Sequence, residues 1–259
     1  MTVLPDLLVL PDYSASFWVV AVVAVTLLGI DKAGFGGGVG ILATPLIALT
    51  IPVPEAAALM LPILLVADAV SLRHYYRMFD ATSIKVLLPG SVVGIVLGAL
   101  VFNYFADNAR TLRVAVGLLA IFFVLFQVGR SLIFGTLVKT RLPAPVGAVL
   151  GMWAGIGSTL GHAGGPFVVL YLLPQQLPRN IFVGTTVVLF AAMNVIKLVP
   201  YAYLGLIRVG NLSAVLLLIP LVFLAARLGI WLNQRFDNTW FQRTVYGLLF
   251  LTGLQLILS

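Results

Sequence analysis

Long apolar runs separated by short polar joints dominate this sequence and limit the folds that it can adopt. A helix needs about 20 apolar residues to cross a bilayer, and eight runs approach or reach that length. Two shorter apolar pieces, residues 39–51 and 166–173, lie at glycine-rich stretches. We therefore predict an all-α, polytopic integral membrane protein with about eight membrane segments in one domain, residues 1–259. The eight longer runs are residues 17–30, 55–72, 82–105, 111–134, 144–160, 180–200, 211–231 and 240–258.

The overall composition agrees with lipid as the solvent for most side chains. Hydrophobic residues make up 61% of the chain and charged residues 9%, whereas soluble domains carry about 25% charged residues. The absence of cysteine excludes disulfides and thiolate metal sites. The sequence has only two histidines, which is a poor ligand set for metal transport. We expect no metal and no cofactor.

The net charge of +7 comes from basic residues scattered near the ends of the apolar runs. This distribution is typical of positive-inside topology and headgroup anchoring, with a contribution to an anion pathway as the alternative. We expect membrane lipids as partners and no nucleic acid. The first residues carry Asp6 and Asp12 and lack the basic region of a cleaved signal peptide. The first apolar run is therefore predicted to be a retained helix.

Proline and glycine markers recur in the same order in the two halves of the chain. Pro45 and Pro166 both accompany a glycine-rich stretch, and Gly98 matches Gly229 at a spacing of 131 residues. Such self-similarity is typical of transporters built from two repeats, often of opposite topology. We favour inverted halves with five elements each. A plain eight-helix count, with the N-terminus inside, is the alternative. The predicted repeats are residues 12–138 and 144–259.

Two glycine-rich stretches interrupt the predicted helices. Glycine costs about 1 kcal/mol relative to alanine in a helix interior, and unwound backbone at membrane depth is tolerated only where protein or a water-filled cavity covers it. Each break would expose backbone N–H groups at the start of the next half-helix, an arrangement that binds anions. Close helix packing is the alternative explanation. The glycines concerned are Gly34, Gly36, Gly37 and Gly38 in the first stretch, and Gly164 and Gly165 in the second.

Polar and ionisable side chains near these breaks are candidates for the lining of an anion site. Charged groups inside a bilayer are costly and usually mark ion paths or proton relays. Each candidate also has a structural alternative. Lys197 could reach the headgroups, Lys32 could pair with Asp31, Asp68 could cap or pair, and His162 could be packed and neutral. The binding candidates are Lys32, Ser158, Thr159, His162, Asn194 and Lys197, and the proton-coupling candidate is Asp68.

Two motifs resemble those of the TauE/SafE-type sulfite and organosulfonate exporter family, a group of permease-like membrane transporters. The first-repeat motif is Lys32-Ala-Gly-Phe-Gly-Gly-Gly-Val-Gly-Ile-Leu-Ala-Thr-Pro-Leu46. The second-repeat motif is Val183-Gly-Thr-Thr186 followed by Asn194-x-x-Lys197-x-x-Pro-Tyr-x-Tyr-Leu-Gly205. This chain departs from the family pattern at Gly157-Ser-Thr-Leu-Gly161-His162, where many members have another glycine run. The departure leaves the exact anion open.

The resemblance implies a multi-pass secondary transporter of the bacterial inner membrane for small sulfur-containing anions, such as sulfite or sulfoacetate. It also implies that the glycines of both breaks form the site backbone, with Asn194 and Lys197 as lining. We expect alternating access. A negative cytoplasm repels anions and would drive export, whereas uptake would need a coupled cation, and the sequence leaves the direction open. A channel-like pore is the alternative. The oligomeric state stays open, with a homodimer as one option.

An enzyme is not expected from this sequence. Ser158 and His162 are four residues apart and would meet on a regular helix, as an intramembrane serine hydrolase requires. However, the glycines at 161, 164 and 165 are expected to prevent a fixed helix in this stretch.

Overall fold

The computed structural model describes residues 12–34, 40–104, 108–134, 140–207, 209–235 and 239–258. Within these ranges it contains ten α-helices and no strand, which confirms the predicted all-α fold. Eight helices are long, and the two short ones lie beside the glycine-rich stretches. The helices are α1 (Ala15–Gly34), α2 (Ala43–Ala48), α3 (Val53–Tyr75), α4 (Ala81–Tyr104), α5 (Ala109–Phe134), α6 (Ala144–Gly161), α7 (Gly165–Leu172), α8 (Arg179–Tyr203), α9 (Val209–Arg235) and α10 (Thr239–Leu258).

Six of the described helices are long and apolar enough to cross a membrane, namely α1, α3, α4, α6, α8 and α9. Large apolar side chains such as Val19, Leu100 and Leu224 are more than 60% exposed on these helices. Exposed apolar surface of this extent is stable against lipid rather than water. The chain is therefore a multi-pass membrane protein. Helices α5 and α10 coincide with the other two predicted membrane segments.

The two glycine-rich stretches differ in how much of them the structure describes. Helix α1 continues past its predicted end and includes Lys32 and Gly34. The other first-break glycines, at positions 36, 37 and 38, lie outside the described residues. At the second break, His162 takes the left-handed conformation with φ 58° and ψ 27°, which is a common way to end a helix.

Helix α6 is regular up to Gly161 and ends there. Ser158 lies within the helix and His162 lies beyond its end in the left-handed conformation, so one regular helix does not carry both residues, as expected from the sequence. The glycines of α6 serve close packing. A Cβ atom on Gly155 would lie 2.8 Å from the backbone nitrogen of Ile95 in α4. Contact between the two helices outweighs the low helix propensity of glycine. The actual break is confined to the few residues between α6 and α7.

Two helix pairs, α4 with α6 and α1 with α9, share one kind of contact. Gly98 of α4 lies against Ile156 of α6, and Gly229 of α9 lies against Ile30 of α1. Gly98 and Gly229 are the pair that the sequence matches at a spacing of 131 residues. The same kind of close packing thus recurs at the two positions that the sequence matches, and the internal repeat stays a prediction.

Helices α3 and α8 pack against each other in opposite directions. Tyr75, at the end of α3, packs with Val183 and Val187 near the start of α8. Tyr201, near the end of α8, packs with Leu61 in the first half of α3. The end of each helix thus packs against the first half of the other, so the two helices run antiparallel. Inversion of the two halves would require this arrangement.

Candidate functional site

A cavity of about 40 Å³ lies where α1, α3, α6, α7 and α8 meet. Its wall combines apolar side chains with several ionisable or hydrogen-bonding groups, and residues from both halves of the chain contribute. The lining residues are Leu28, Asp31, Lys32, Ile41, Leu64, Ser158, His162, Gly165, Phe190 and Asn194.

A buried ion pair and a hydrogen bond connect three helices beside this cavity. The Nζ atom of Lys32 in α1 lies 2.7 Å from Oδ1 of Asp68 in α3. The side-chain amide of Asn194 in α8 donates to Oδ2 of Asp68 over 2.7 Å. Asp68 and Asn194 are each 2% exposed, so both interactions lie away from solvent. The structure thus pairs Lys32 with Asp68, not with its neighbour Asp31.

Lys197 is fully buried one layer behind the cavity wall. Its Nζ atom donates to Oγ of Ser158 over 2.9 Å and to the carbonyl oxygen of Ser158 over 3.1 Å. The side chain is 0% exposed, so it does not extend to the headgroup layer. Its positive charge is presented to the cavity through Ser158, which lines the cavity directly.

His162 joins the second break to the short helix α2. Its Nδ1 atom lies 3.1 Å from Oγ1 of Thr44. Its Nε2 atom is buried and has no hydrogen-bond partner among the described residues. Because His162 lines the cavity, this nitrogen is a free hydrogen-bonding position for a ligand.

The remaining predicted residues divide into those at the cavity and those away from it. Gly165, the first residue of α7, lines the cavity, so the N-terminus of this eight-residue helix faces it. Gly164 packs against α6, where a Cβ would lie 2.5 Å from the carbonyl oxygen of Ala154. The hydroxyl of Thr159 donates to the Gly155 carbonyl over 2.9 Å. Neither Gly164 nor Thr159 is among the residues that form the wall.

Sequence reasoning missed several residues of the site. Thr44 contacts His162. The sequence does not indicate this contact, because the two residues belong to different segments of the chain. The apolar wall residues Leu64 and Phe190 were also missed. They are 126 residues apart, as are Asp68 and Asn194. A search for matched residues at this spacing would have found both pairs, because it relates α3 to α8.

The site contains balanced charge and no described metal-ligand cluster. Lys32 and Lys197 supply two positive charges, and Asp31 and Asp68 supply two negative charges when ionised. No group of three or more His, Cys, Asp or Glu side chains that could hold a metal occurs in the described ranges. The arrangement offers lysine and asparagine side chains and a helix N-terminus, which are suited to binding a small anion.

A cavity with charged and hydrogen-bonding side chains in its wall, between membrane-spanning helices of two chain halves, is characteristic of a membrane transporter. The chain matches a family model described as sulfite exporter TauE/SafE over residues 20–256. It therefore belongs to the sulfite exporter TauE/SafE family, which confirms the resemblance seen in the two motifs. A comparison with curated proteins found no match, and neither did a comparison with solved structures. A place in the bacterial inner membrane fits this family.

Proposed function

We propose that this protein exports a small sulfur-containing anion, sulfite or an organosulfonate such as sulfoacetate, across the bacterial inner membrane by alternating access. The observation that carries the proposal is the buried cavity shared by both halves, with Lys32, Asn194 and the unpartnered Nε2 of His162 at its wall. The family membership supports the substrate class.

The dimensions and lining of the cavity favour a compact anion. A volume of about 40 Å³ is roughly three times the 10–15 Å³ that one water needs on the same measure, so the cavity has room for a ligand of a few heavy atoms. Lys32 attracts negative charge, and the N-terminus of α7 at Gly165 adds backbone N–H groups and a favourable dipole. Leu64 and Phe190 close the apolar side and exclude bulky polar ligands.

The balance of charges supports proton coupling at Asp68. With Asp31, Lys32, Asp68 and Lys197 all ionised, the site is formally neutral, so an incoming anion would leave it negative in a medium of low dielectric. Protonation of Asp68 removes that penalty and releases Lys32 from its ion pair. The anion then takes the place of the carboxylate as the partner of Lys32.

The crossing of α3 and α8 supports the mechanism of alternating access. The cavity lies at this crossing, and the two helices run antiparallel through corresponding contacts. If the halves are inverted repeats, rocking one against the other opens the cavity to each side of the membrane in turn. The Lys32–Asp68 pair holds α1 to α3, and Lys197 holds α8 to α6, so these contacts move with their own halves.

Transport in proteoliposomes tests the proposal. Purified protein is reconstituted, vesicles are loaded with labelled sulfite, sulfoacetate, sulfate or acetate, and efflux is followed with the interior about 100 mV negative, worth about 2.3 kcal/mol per charge. We expect saturable efflux of a sulfur oxyanion or sulfonate that Lys32→Met abolishes and the exposed-site control Lys85→Met leaves intact. Non-saturating flux would indicate a pore instead, and no flux of any of these anions would refute the substrate class.

A further inference from the structure

Two grooves on the outer surface of the protein are lined by equivalent residues of the two halves. The first, called the basic groove, lies between α3 and α9, has a volume of about 620 Å³, and contains Arg73, His74 and Arg227. The second, called the apolar groove, lies between α4 and α8 and has a volume of about 670 Å³. Its lining contains no charged residue.

The correspondence between the grooves follows from the spacings already described, 126 residues from α3 to α8 and 131 from α4 to α9. Arg73 corresponds to Val199, and Arg227 corresponds to Val96. Of the seven residues that line the basic groove, six have their counterpart in the lining of the apolar groove. The two grooves therefore lie at equivalent positions of the two halves and differ in charge.

The grooves lie at opposite ends of the crossed pair α3 and α8. The basic groove is formed by the last turns of α3, and the apolar groove by the last turns of α8. Because the two helices run antiparallel, the grooves face different leaflets of the membrane. Because only the basic groove carries positive charge, we expect an anionic ligand to bind from only one of the two leaflets.

The arginines of the basic groove lack a protein counterion. Neither Arg73 nor Arg227 forms an ion pair within the described part of the chain, and both are exposed. Beside them Val70, Ile230 and Phe223 provide an apolar wall, and Phe223 is 46% exposed. The groove therefore has a cationic end beside an exposed apolar channel between membrane helices. These two parts are complementary to a phosphate headgroup and to the acyl chain joined to it.

We propose that the basic groove binds an anionic glycerophospholipid, with its phosphate between Arg73 and Arg227 and an acyl chain along Phe223. The two guanidinium groups hold the phosphate by charge-assisted hydrogen bonds, and His74 adds a further polar contact at the headgroup. This lipid site is separate from the central cavity, and it does not depend on which anion the protein transports.

Native mass spectrometry of the purified protein tests this inference. Phosphatidylglycerol and phosphatidylcholine with the same acyl chains are titrated separately, and dissociation constants are compared for the unmodified protein and two variants. Arg73→Val/Arg227→Val gives the basic groove the residues of its counterpart. Val96→Ala/Val199→Ala changes the two equivalent positions of the apolar groove and leaves every charge of the protein in place.

We expect the unmodified protein to bind phosphatidylglycerol more tightly than phosphatidylcholine. The arginine variant should lose most of this preference, on the order of thirtyfold for two basic residues, and the valine variant should keep it. Equal binding of the two lipids by the unmodified protein would overturn the proposal, even if the arginine variant failed to fold. Competition by inorganic phosphate as strong as that by the lipid would also overturn it, by showing a soluble-anion site.

Discussion

Asp68 and Asn194 lie 126 residues apart in the chain and hydrogen-bond to each other, with the Asn194 amide donating to Oδ2 of Asp68 over 2.7 Å. They occupy matching positions on the antiparallel helices α3 and α8, so the contact lies where the two halves cross. One half contributes a carboxylate at this point and the other a neutral amide. The ion pair to Lys32 therefore forms on one side only.

This asymmetry predicts a pH dependence of anion binding that requires Asp68. Binding should weaken as the pH rises, because ionised Asp68 competes with the anion for Lys32. Asp68→Asn keeps a hydrogen-bond acceptor for Asn194 and removes the competing charge, so its affinity should not change with pH. The groups facing Asp68 are Lys32, Asn194 and, at greater distance, Lys197. Isothermal titration with sulfoacetate at several mildly acidic and neutral pH values measures the effect, because both acidic groups of this ligand stay ionised there.

Two results would contradict this role of Asp68. Retention of the pH dependence by Asp68→Asn would assign it to another group, such as Asp31 or His162. Equal affinity of the unmodified protein at every pH tested would show that no titrating group controls binding. Asp12→Asn, at an exposed position before α1, is the control for a general effect of removing one carboxylate.

The buried charge of Lys197 leads to a second prediction. Lys197→Met keeps the length of the side chain but removes the charge and both hydrogen bonds to Ser158. The loss of a charged hydrogen-bonding group next to the cavity should weaken anion binding by on the order of tenfold or more. A thermal-shift titration measures it, because a ligand of the folded state raises the unfolding temperature. Unchanged affinity would mean that Lys197 stabilises α6 without acting on the anion.

The positions of the helices could be predicted from the sequence because each apolar run is long enough to define its own element. The predicted run 82–105 became α4, Ala81–Tyr104. The partners of the polar groups could not be predicted in this way. Asp31 and Lys32 are adjacent in one helix, and adjacent side chains in a helix point in different directions. Lys32 is therefore directed to a third residue, Asp68, on another helix.

Burial depth was equally hard to judge from the sequence. Lys197 could be assigned to the headgroup layer or to the interior, because the end of its helix was uncertain. Helix α8 extends to Tyr203, which places Lys197 more than one turn inside the helix and away from lipid. The packing role of the α6 glycines could not be predicted for a related reason, since it depends on α4, a helix that no local pattern identifies as the neighbour.

Close packing of α4 on α6 gives a third prediction, which concerns stability. A Cβ on Gly94 would overlap the carbonyl oxygen of Met152, which belongs to backbone and cannot rotate away. Gly94→Ala should therefore lower the free energy of unfolding by about 1–3 kcal/mol. Gly247→Ala is the matched control, because nothing lies within 4 Å of its added Cβ, and alanine favours a helix by about 0.5–1 kcal/mol. Thermal unfolding in detergent compares them, and equal stability of both variants would exclude tight contact at Gly94.

A polar cluster around Asp80 supports the final prediction. The carboxylate accepts hydrogen bonds from the backbone and hydroxyl of Ser83 at 2.9 and 2.6 Å and from Arg141 at 3.0 Å. The backbone N–H of Asp80 donates to Thr185 in α8. Asp80 thus connects the start of α4 with the segment before α6. Partial burial opposes ionisation, but the hydrogen bonds from Ser83 and the charge of Arg141 outweigh it and hold the pKa of Asp80 below its ordinary value.

A lowered pKa means that the ionised form of Asp80 stabilises the folded protein. This contribution is present above the ordinary aspartate pKa of about 4 and is lost as the pH falls through the lower pKa of the folded state. Asp80→Asn should lower the free energy of unfolding by about 1 kcal/mol at neutral pH. The difference from the unmodified protein should shrink below about pH 4, because protonated Asp80 has also lost its charge. Unfolding measured at pH 7 and at pH 3 checks both points, and a difference that stays constant between them would show that the charge of Asp80 contributes nothing.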